Sequence, residues 1–351
     1  MCSRATGPIY VRVLAGALPC FLRLLFEMRH QAVATLFVLT ANWANAHSWV
    51  EQLANIGPNG SYVGSFGYPR GFVDKSAEGS FDQEANVWLL PPARDPPFIS
   101  EADFLCHPSQ RVSNQVGRFP RLQTRPGNVI AMRYAENGHV TIPGGGLGLV
   151  GKPEKGGTVF VFGTGQPRPD ETLQTVLHWT RDGKGGDQRG RLLTAQNFDD
   201  DRCYQLGTYT ALREARRLQT PNPQLGQPGS EHELLCETDV KLPEDVVVGQ
   251  PYTLYWVWQW PSAPQPLPGP VQGKDEYYVS CTDVDVESGL SQSQGGTLLK
   301  DQDPMTSAVR NYKSRTALTV DPLALSSQAG FGRPTETETS SQPPATIHPI
   351  P

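Results

Sequence analysis

The sequence lacks several features that define common classes of protein. Residues 1–46 carry four of the 30 Lys and Arg and one of the 35 Asp and Glu, so the remainder has a net charge of −8. That charge does not favour binding to nucleic acid or to an anionic membrane surface. The apolar residues 1–27 are interrupted by Arg12 and Arg23, and so fall short of the roughly 20 apolar residues that span a membrane. The Gly-x-Ser-x-Gly signature of one type of serine hydrolase is absent.

Cysteine is scarce, and its count is informative. Two of the six cysteines lie within residues 1–46 and four follow: Cys106, Cys203, Cys236 and Cys281. An even number in a secreted chain predicts two disulfides, and four cysteines allow three pairings.

Residues 28–46 have the pattern of a secretory signal. A charged start is followed by an apolar stretch and by Ala-Asn-Ala, a small-x-small cleavage site. We therefore expect Met28 to be the true start and His47 to be the first residue of an extracellular protein. The alternatives are an uncleaved anchor or a cut a few residues away. The sequon Asn59-Gly60-Ser61 predicts a surface glycan on Asn59.

The part of the chain after residue 46 predicts one all-β domain, residues 47–286, and a disordered tail, residues 287–351. Strand-like runs recur between Pro and Gly at residues 128–134, 158–162, 246–248, 252–260 and 277–286. They predict an immunoglobulin- or fibronectin-like β-sandwich with long loops. A short amphipathic helix is expected at residues 208–219, with Leu212, Ala215 and Leu218 towards the sheet. The tail is rich in Ser, Thr, Gln and Pro and offers little apolar surface to bury.

One strand run has a regular alternation of side chains. Leu254, Trp256, Trp258 and Trp260 share one face by the period-2 rule, while residues 253, 255, 257 and 259 take the other face. We interpret the tryptophans as core packing.

Three residues suggest a copper site. An N-terminal His47 could bind a metal ion through its α-amino nitrogen and its ring together. His139 follows a predicted strand, and Tyr278 lies in the last one. Two imidazoles and an amine suit copper(II), and a phenol oxygen can take a weak axial position.

The same residues resemble the copper lytic polysaccharide monooxygenases of fungi. His-Ser-Trp-Val at residues 47–50 is similar to their mature His-x-x-Val terminus, and Asp-Phe-Leu-Cys-His at residues 103–107 to their Asp-Ile-Ile-Cys-His stretch. His139 follows a strand, as their second copper histidine does. Glu-Tyr-Tyr-Val-Ser-Cys at residues 276–281 is similar to their Gln-x-Tyr-x-x-Cys strand. In order and spacing these matches cover residues 47–286.

The resemblance implies a site and a function. It makes His47 and His139 equatorial ligands of one copper ion and Tyr278 the axial ligand. It also implies two disulfides, Cys106–Cys281 and Cys203–Cys236. The implied function is oxidative cleavage of cellulose, chitin or another cell-wall polysaccharide by a secreted monomer that takes electrons from an external donor.

Departures from that family mark a divergent branch. Glu276 stands where cellulose-active members have a glutamine, and it could orient an oxygen species or relay a proton. The Gly-rich residues 144–148 replace a shorter motif, and an insert at residues 183–228 has no counterpart. The resemblance therefore does not identify the polysaccharide that this protein would cleave. Two other functions stay open: a copper-binding protein of the same fold without catalysis, and a cell-wall carbohydrate-binding β-sandwich that needs no metal.

Several residues have a plain structural alternative. His139 could be a histidine whose ring bonds a backbone carbonyl, and Tyr278 could be an ordinary strand residue. His107 is more typical of a structural histidine and is the fallback ligand, whereas His178 could be near the metal or in the core. The aromatic residues near the proposed terminus could stack on sugar rings: Tyr62, Phe66 and Tyr68.

A dinucleotide-like motif is set aside. Residues 146–151 satisfy Gly-x-Gly-x-x-Gly, but the following Lys-Pro-Glu-Lys-Gly cannot begin the helix that a dinucleotide phosphate requires. We interpret this stretch as a loop.

Overall fold

The structure is a computed structural model of the chain. The described residues are 47–75, 83–136, 140–141, 151–205, 210–221, 233–264, 273–290, 303 and 305–316. All of them belong to the second of two units into which the chain divides, Ala46–Pro351. The expected signal segment therefore lies outside the described residues.

Ten strands form two sheets that pack face to face. The strands are β1 Val50–Ile56, β2 Tyr62–Gly67, β3 Leu89–Leu90, β4 Leu122–Thr124, β5 Val129–Tyr134, β6 Thr158–Thr164, β7 Arg191–Asn197, β8 Cys236–Lys241, β9 Pro251–Gln259 and β10 Tyr277–Val286. One sheet has the order β2-β1-β5-β8, and the other has the order β3-β10-β9-β6-β7, with β4 paired to β10. Only the β4–β10 pairing is parallel among the pairings of these strands. The prediction of an all-β sandwich is confirmed.

Within the described ranges, three helices accompany the sheets. They are α1 Leu173–Leu177, α2 Thr210–Gln219 and α3 Tyr312–Arg315. Single 3-10 turns lie at Gln83–Ala85, Pro108–Gln110 and Glu154–Gly156. Thr172 caps α1 by accepting a hydrogen bond from the amide of Thr175, which satisfies a free donor of the first turn.

The alternation in β9 organises the core. Leu254, Trp256, Trp258 and Trp260 are buried in the cluster between the two sheets. The opposite face of the same sheet is also buried, because α1 and Trp179 cover it. The tryptophans therefore fill the sandwich interior, as their alternation predicts.

Two local expectations need correction. Residues 246–248 are not a strand, and Val247 and Val248 are 66% and 49% exposed. The predicted helix exists as α2, but Leu218 is 75% exposed and the buried residue of the helix is Arg216. Arg216 donates to the carboxylate of Asp199 at 2.7 Å, so an ion pair anchors the helix rather than a leucine stripe.

The folded unit does not end at residue 286. Three apolar side chains of the segment 303–316 are buried against the four-stranded sheet: Met305, Val309 and Tyr312. Asp303 forms an ion pair with Arg133 at 2.7 Å, and Arg315 forms one with Asp239 at 2.8 Å. The expectation of a wholly disordered tail is therefore wrong for this segment. The rest of the expected tail beyond residue 290 lies outside the described residues.

Two disulfides join distant parts of the domain. Cys106 is bonded to Cys281 in β10, and Cys203 to Cys236 at the start of β8. Both are the pairings that the resemblance implies. Disulfides persist mainly in oxidising compartments, outside the cytosol.

Candidate metal centre

His47 is half-buried at the end of the sandwich where β1 begins. Its neighbour Ser48 donates a hydrogen bond to the carbonyl oxygen of Ala135, just beyond β5, at 2.8 Å. The amide of Val50 donates to Oγ of Ser280 in β10 at 3.0 Å. Because β5 and β10 belong to different sheets, these bonds hold the segment that carries His47 between the two layers.

Tyr278 lies beside His47. The centroids of the two rings are 6.3 Å apart and their planes meet at 80°. Tyr278 is 1% exposed, and its ring stacks on Trp258 with centroids 4.8 Å apart. Trp258 in turn stacks on Trp260 at 5.4 Å and on Phe198 at 4.1 Å. Aromatic packing therefore fixes the ring of Tyr278 in the core.

The carboxylate of Glu276 connects Tyr278 to two lysines. The hydroxyl of Tyr278 donates to Oε1 of Glu276 at 2.8 Å. Lys152 and Lys274 donate to Oε2 at 2.8 Å and 3.1 Å. Both oxygens of this buried carboxylate thus have hydrogen-bond donors, two of them cationic.

These contacts set the protonation states. Burial raises the pKa of Glu276, but the charges of Lys152 and Lys274 and the donated hydrogen bonds outweigh it, so the pKa lies below its usual value. Burial first, and then the anionic Glu276, raise the pKa of Tyr278 well above its usual value. Burial also lowers the pKa of Lys152, against the opposing effect of Glu276. Glu276 is therefore an anion at neutral pH, and Tyr278 is a neutral phenol.

His139 lies outside the described residues, but residues on both sides of it are placed. Ala135 accepts the hydrogen bond from Ser48, next to His47. Glu136 accepts hydrogen bonds from the amide and the hydroxyl of Thr141, both at 2.9 Å. Val140 is buried in the cluster that contains Trp258 and Tyr278. Ala135 thus lies beside the segment that carries His47.

Two of the three expected sugar-stacking residues are internal. Tyr62 is 5% exposed, and its hydroxyl donates to Glu237 at 2.5 Å. It pairs with Ile56, at the opposite end of β1 from His47. Tyr68 is 4% exposed in a cluster of aromatic rings. Because neither ring face reaches solvent, the prediction that they bind sugar is wrong.

Two other surface predictions stay open. Phe66 is half-buried and packs on the core clusters. Asn59 is exposed in the turn between β1 and β2, where its side chain accepts a hydrogen bond from the amide of Ser61. An exposed turn is accessible to glycosylation, and the glycan remains a prediction.

The other two histidines among the described residues, His107 and His178, have local partners. Nδ1 of His107 lies 2.7 Å from Oγ of Ser109 and accepts from its amide at 3.2 Å, capping the turn that follows. Burial, and then the charge of Arg111, lower the pKa of His107. His178 ends α1, with its ring 2.6 Å from the carbonyl oxygen of Gln174. Helix α1 covers the face of the six-stranded sheet opposite Tyr278.

The rings of His47 and Tyr278, which lie beside each other, carry two possible metal donors. His47 supplies an imidazole and Tyr278 a neutral phenol oxygen, and both donor types suit copper(II). Within the described ranges, one group of three potential acidic or sulfur ligands lies close together: Asp200, Cys203 and Cys236. Its two sulfurs form a disulfide and are not thiolates, so this group does not offer a metal site.

Lys152 and Lys274 were not predicted from the sequence. Lys152 directly follows the Gly-rich loop, and it lies 124 positions from its partner Glu276. Lys274 is two positions from Glu276, so a local pairing could have been suspected. Nothing in the local sequence indicates that Lys152 is buried.

Comparison with known proteins gives a family without a known function. Residues 44–310 match the model of a family described as a domain of unknown function, DUF7492. The chain belongs to this family. The family's extent agrees with the structure, because it includes residues 303 and 305–310, which pack on the four-stranded sheet. No curated protein matches the chain.

The solved structures that match this chain include the following one. It is a cellulose-active polysaccharide monooxygenase from M. thermophila, with 13% identity over 78% of this chain and 96% of that chain, at a TM-score of 0.29. At that TM-score the similarity does not support an inference about fold or function. In the described part of the chain, none of the helices is long and apolar enough to cross a membrane.

Proposed function

We propose that this protein is a secreted, copper-dependent enzyme that cleaves a polysaccharide oxidatively. The ligands would be His47, as the first residue after signal cleavage, together with His139 and Tyr278. The observation that carries the proposal is the placement of the His47 ring beside Tyr278, at the end of the sandwich. These residues are 231 positions apart in the sequence, and both belong to motifs that resemble the fungal copper monooxygenases.

The neighbours of His139 support its part in the site. Ala135 is bonded to Ser48, and Val140 packs in the cluster that contains Tyr278. Ala135, four positions before His139, therefore lies beside the segment that carries His47. This proximity favours ligation by His139 over the alternative of an isolated loop histidine.

A copper ion held here would supply one-electron chemistry with O2 or H2O2, using electrons from an external donor, to oxidise a C–H bond beside a glycosidic link. The protein's own residues have defined tasks. Tyr278 presents a neutral oxygen, because the phenol keeps its proton while its hydroxyl donates a hydrogen bond to Glu276. Glu276 holds that phenol in place and keeps a negative charge next to the centre.

The test begins with the amino terminus. Mass spectrometry of the secreted protein should find His47 as the first residue. Copper titration should then give one tightly bound ion per chain, and His139→Ala should weaken binding by at least about tenfold because one of two imidazole ligands is lost. His178→Ala is the matched control, since its ring contacts the carbonyl oxygen of Gln174 and it lies outside the proposed centre. A mature chain that begins elsewhere, or equal affinities for the two variants, would refute the proposed site.

Activity requires a separate assay. The copper-loaded protein, given a reductant and O2 or H2O2, should release oxidised oligosaccharides from at least one member of a panel that includes cellulose and chitin. The same protein treated with EDTA should release none. Carbohydrate binding that survives EDTA, without oxidised products, would instead identify a metal-independent binding module.

A copper-binding protein without catalysis is the second candidate. The specific observation in its favour is that both oxygens of Glu276 already have donors, from Tyr278, Lys152 and Lys274. A carboxylate so engaged is less available to act on a bound oxygen species. Tight copper binding by wild type, with no oxidised product from the panel, would select this candidate.

A further inference from the structure

Lys152 is a buried cation at the proposed centre. Its side chain is 11% exposed, and its Nζ donates to Oε2 of Glu276 and to the carbonyl oxygen of Trp260, both at 2.8 Å. Nζ also lies 4.0 Å from the centroid of the Trp260 ring. A lysine removed from water needs such partners, because burial disfavours its charged form. Lys152 is therefore a buried cation held by specific contacts and not a solvated surface charge.

The contacts of Lys152 lead to Tyr278 in two steps. Lys152 holds one oxygen of Glu276, and the other oxygen accepts the hydroxyl of Tyr278 at 2.8 Å. The ring of Tyr278 lies beside His47. Lys152 also contacts Trp260, whose ring stacks on Trp258 and through it on Tyr278, so a double variant is needed to show that its influence passes through Glu276.

The second lysine does not duplicate this contact. Lys274 is 36% exposed, and its Nζ is 3.1 Å from the same oxygen of Glu276. An exposed ammonium is screened by water and contributes less than a buried one. Without Lys152, the buried carboxylate would keep one weak cationic partner, and the orientation of its other oxygen towards Tyr278 would loosen.

We infer that Lys152 is a positioning residue of this centre: by fixing the carboxylate of Glu276, it fixes the direction of the Tyr278 hydroxyl beside His47. The inference rests on the proposed function for its effect on copper, since Tyr278 is the proposed axial ligand. The arrangement of Lys152, Glu276 and Tyr278 does not depend on the metal and can be tested without it.

The test substitutes two lysines that are close together in the sequence, Lys152 and Lys155. Lys152→Met removes the charge at similar length, and Lys152→Arg keeps the charge. Lys155→Met is the matched control, because Lys155 is 47% exposed and pairs with Asp201 at the surface. The readouts are copper affinity, the electron paramagnetic resonance spectrum of bound copper(II), and thermal unfolding of the metal-free protein.

We expect Lys152→Met to bind copper about tenfold more weakly, since loss of a partner behind a ligand typically costs that much or more. Its copper(II) spectrum should differ from that of wild type, and Lys152→Arg should restore both. Lys155→Met should match wild type. Wild-type affinity and spectrum in Lys152→Met would overturn the inference, as would equal changes in Lys152→Met and Lys155→Met.

A double variant covers a failure to fold and tests the route of the effect. Lys152→Met with Glu276→Gln leaves no unpaired buried charge, so it should fold even if Lys152→Met does not. Because Lys152 acts through Glu276, adding Lys152→Met to Glu276→Gln should change the copper spectrum no further. If Lys152→Met changes the copper spectrum of the Glu276→Gln variant as much as it changes that of wild type, the inference is overturned. A further change comparable to that of Glu276→Gln alone would also overturn it.

A metal-free measurement separates the two proposals. The hydroxyl proton of Tyr278 should give a slowly exchanging resonance in the metal-free protein, assigned by its loss in Tyr278→Phe. It should persist in Lys152→Arg and disappear in Lys152→Met. If wild type binds no copper but this pattern holds, the proposed function fails and the positioning stands. If copper binds and the resonance is unchanged in Lys152→Met, the positioning fails.

Discussion

Removal of the carboxylate of Asp303 is expected to destabilise the domain strongly. Asp303 pairs with Arg133 at 2.7 Å, and the two side chains are 3% and 0% exposed. It also accepts hydrogen bonds from the amides of Leu235 and Met305, each at 2.8 Å. Breaking one partner of a buried ion pair costs about 3–5 kcal/mol, because the other charge stays buried. At about 2–4 °C per kcal/mol for a domain of this size, Asp303→Ala should lower Tm by roughly 6–20 °C.

The assay is thermal unfolding of the secreted protein with its disulfides intact, followed by circular dichroism and calorimetry. Asp245→Ala is the matched control: its pair with Arg191 is also short, at 2.8 Å, but the Asp245 side chain is 64% exposed. An exposed pair contributes only about 0–1 kcal/mol. Equal melting temperatures for the two variants would refute the reasoning that residues 303–316 are part of the folded unit.

Two further outcomes test other buried charges. Arg216→Ala should lower the free energy of unfolding, measured in urea, by about 3–5 kcal/mol, because it leaves the charge of the buried Asp199 unpaired. The control Arg213→Ala, on the same helix, should lower it by less than about 1 kcal/mol. Similar losses for the two variants would contradict this prediction. Burial first, and then the charge of Glu237, raise the pKa of Asp239 well above its usual value. A raised carboxyl pKa gives stability that is present below the unfolded pKa and is lost as pH rises through the folded pKa. Asp239→Asn has no carboxyl group and therefore lacks that loss of stability. The unfolding free energy of the variant, relative to wild type, should increase as pH rises above about 4. A difference between the two proteins that is constant with pH would contradict the raised pKa of Asp239.

The strands with regular patterns could be predicted from the sequence. The expected runs at residues 252–260 and 277–286 correspond to β9, Pro251–Gln259, and β10, Tyr277–Val286. Strand β9 is rich in Tyr and Trp, and β10 is rich in Tyr and Val, and all three residue types favour strands. Strand β8, Cys-Glu-Thr-Asp-Val-Lys, has no such pattern, yet it is buried. Its acidic residues are stabilised by Arg202 and Arg315, which are distant in the sequence, and no local rule could show that.

The end of the domain was missed for a related reason. Composition predicts disorder after residue 286, because the segment has few apolar residues. Three of those few, Met305, Val309 and Tyr312, are buried on the four-stranded sheet. Ion pairs at both ends of the segment stabilise its position. The fit between a short segment and a distant sheet depends on the tertiary structure, and the average composition of the segment does not show it.

The sequence motifs point to the proposed ligands, but they do not show the protonation states of Tyr278 and Glu276. Tyr278 and Glu276 are two positions apart, and the sequence alone does not show whether Glu276, once buried, is charged or neutral. The answer depends on Lys152, which brings a buried positive charge to Glu276 from 124 positions away. With that charge present, the carboxylate is the anion and the phenol keeps its proton. A phenol that keeps its proton in a hydrogen bond to Glu276 would offer a copper ion only a neutral oxygen, which is a weaker donor than the imidazoles that would hold the ion.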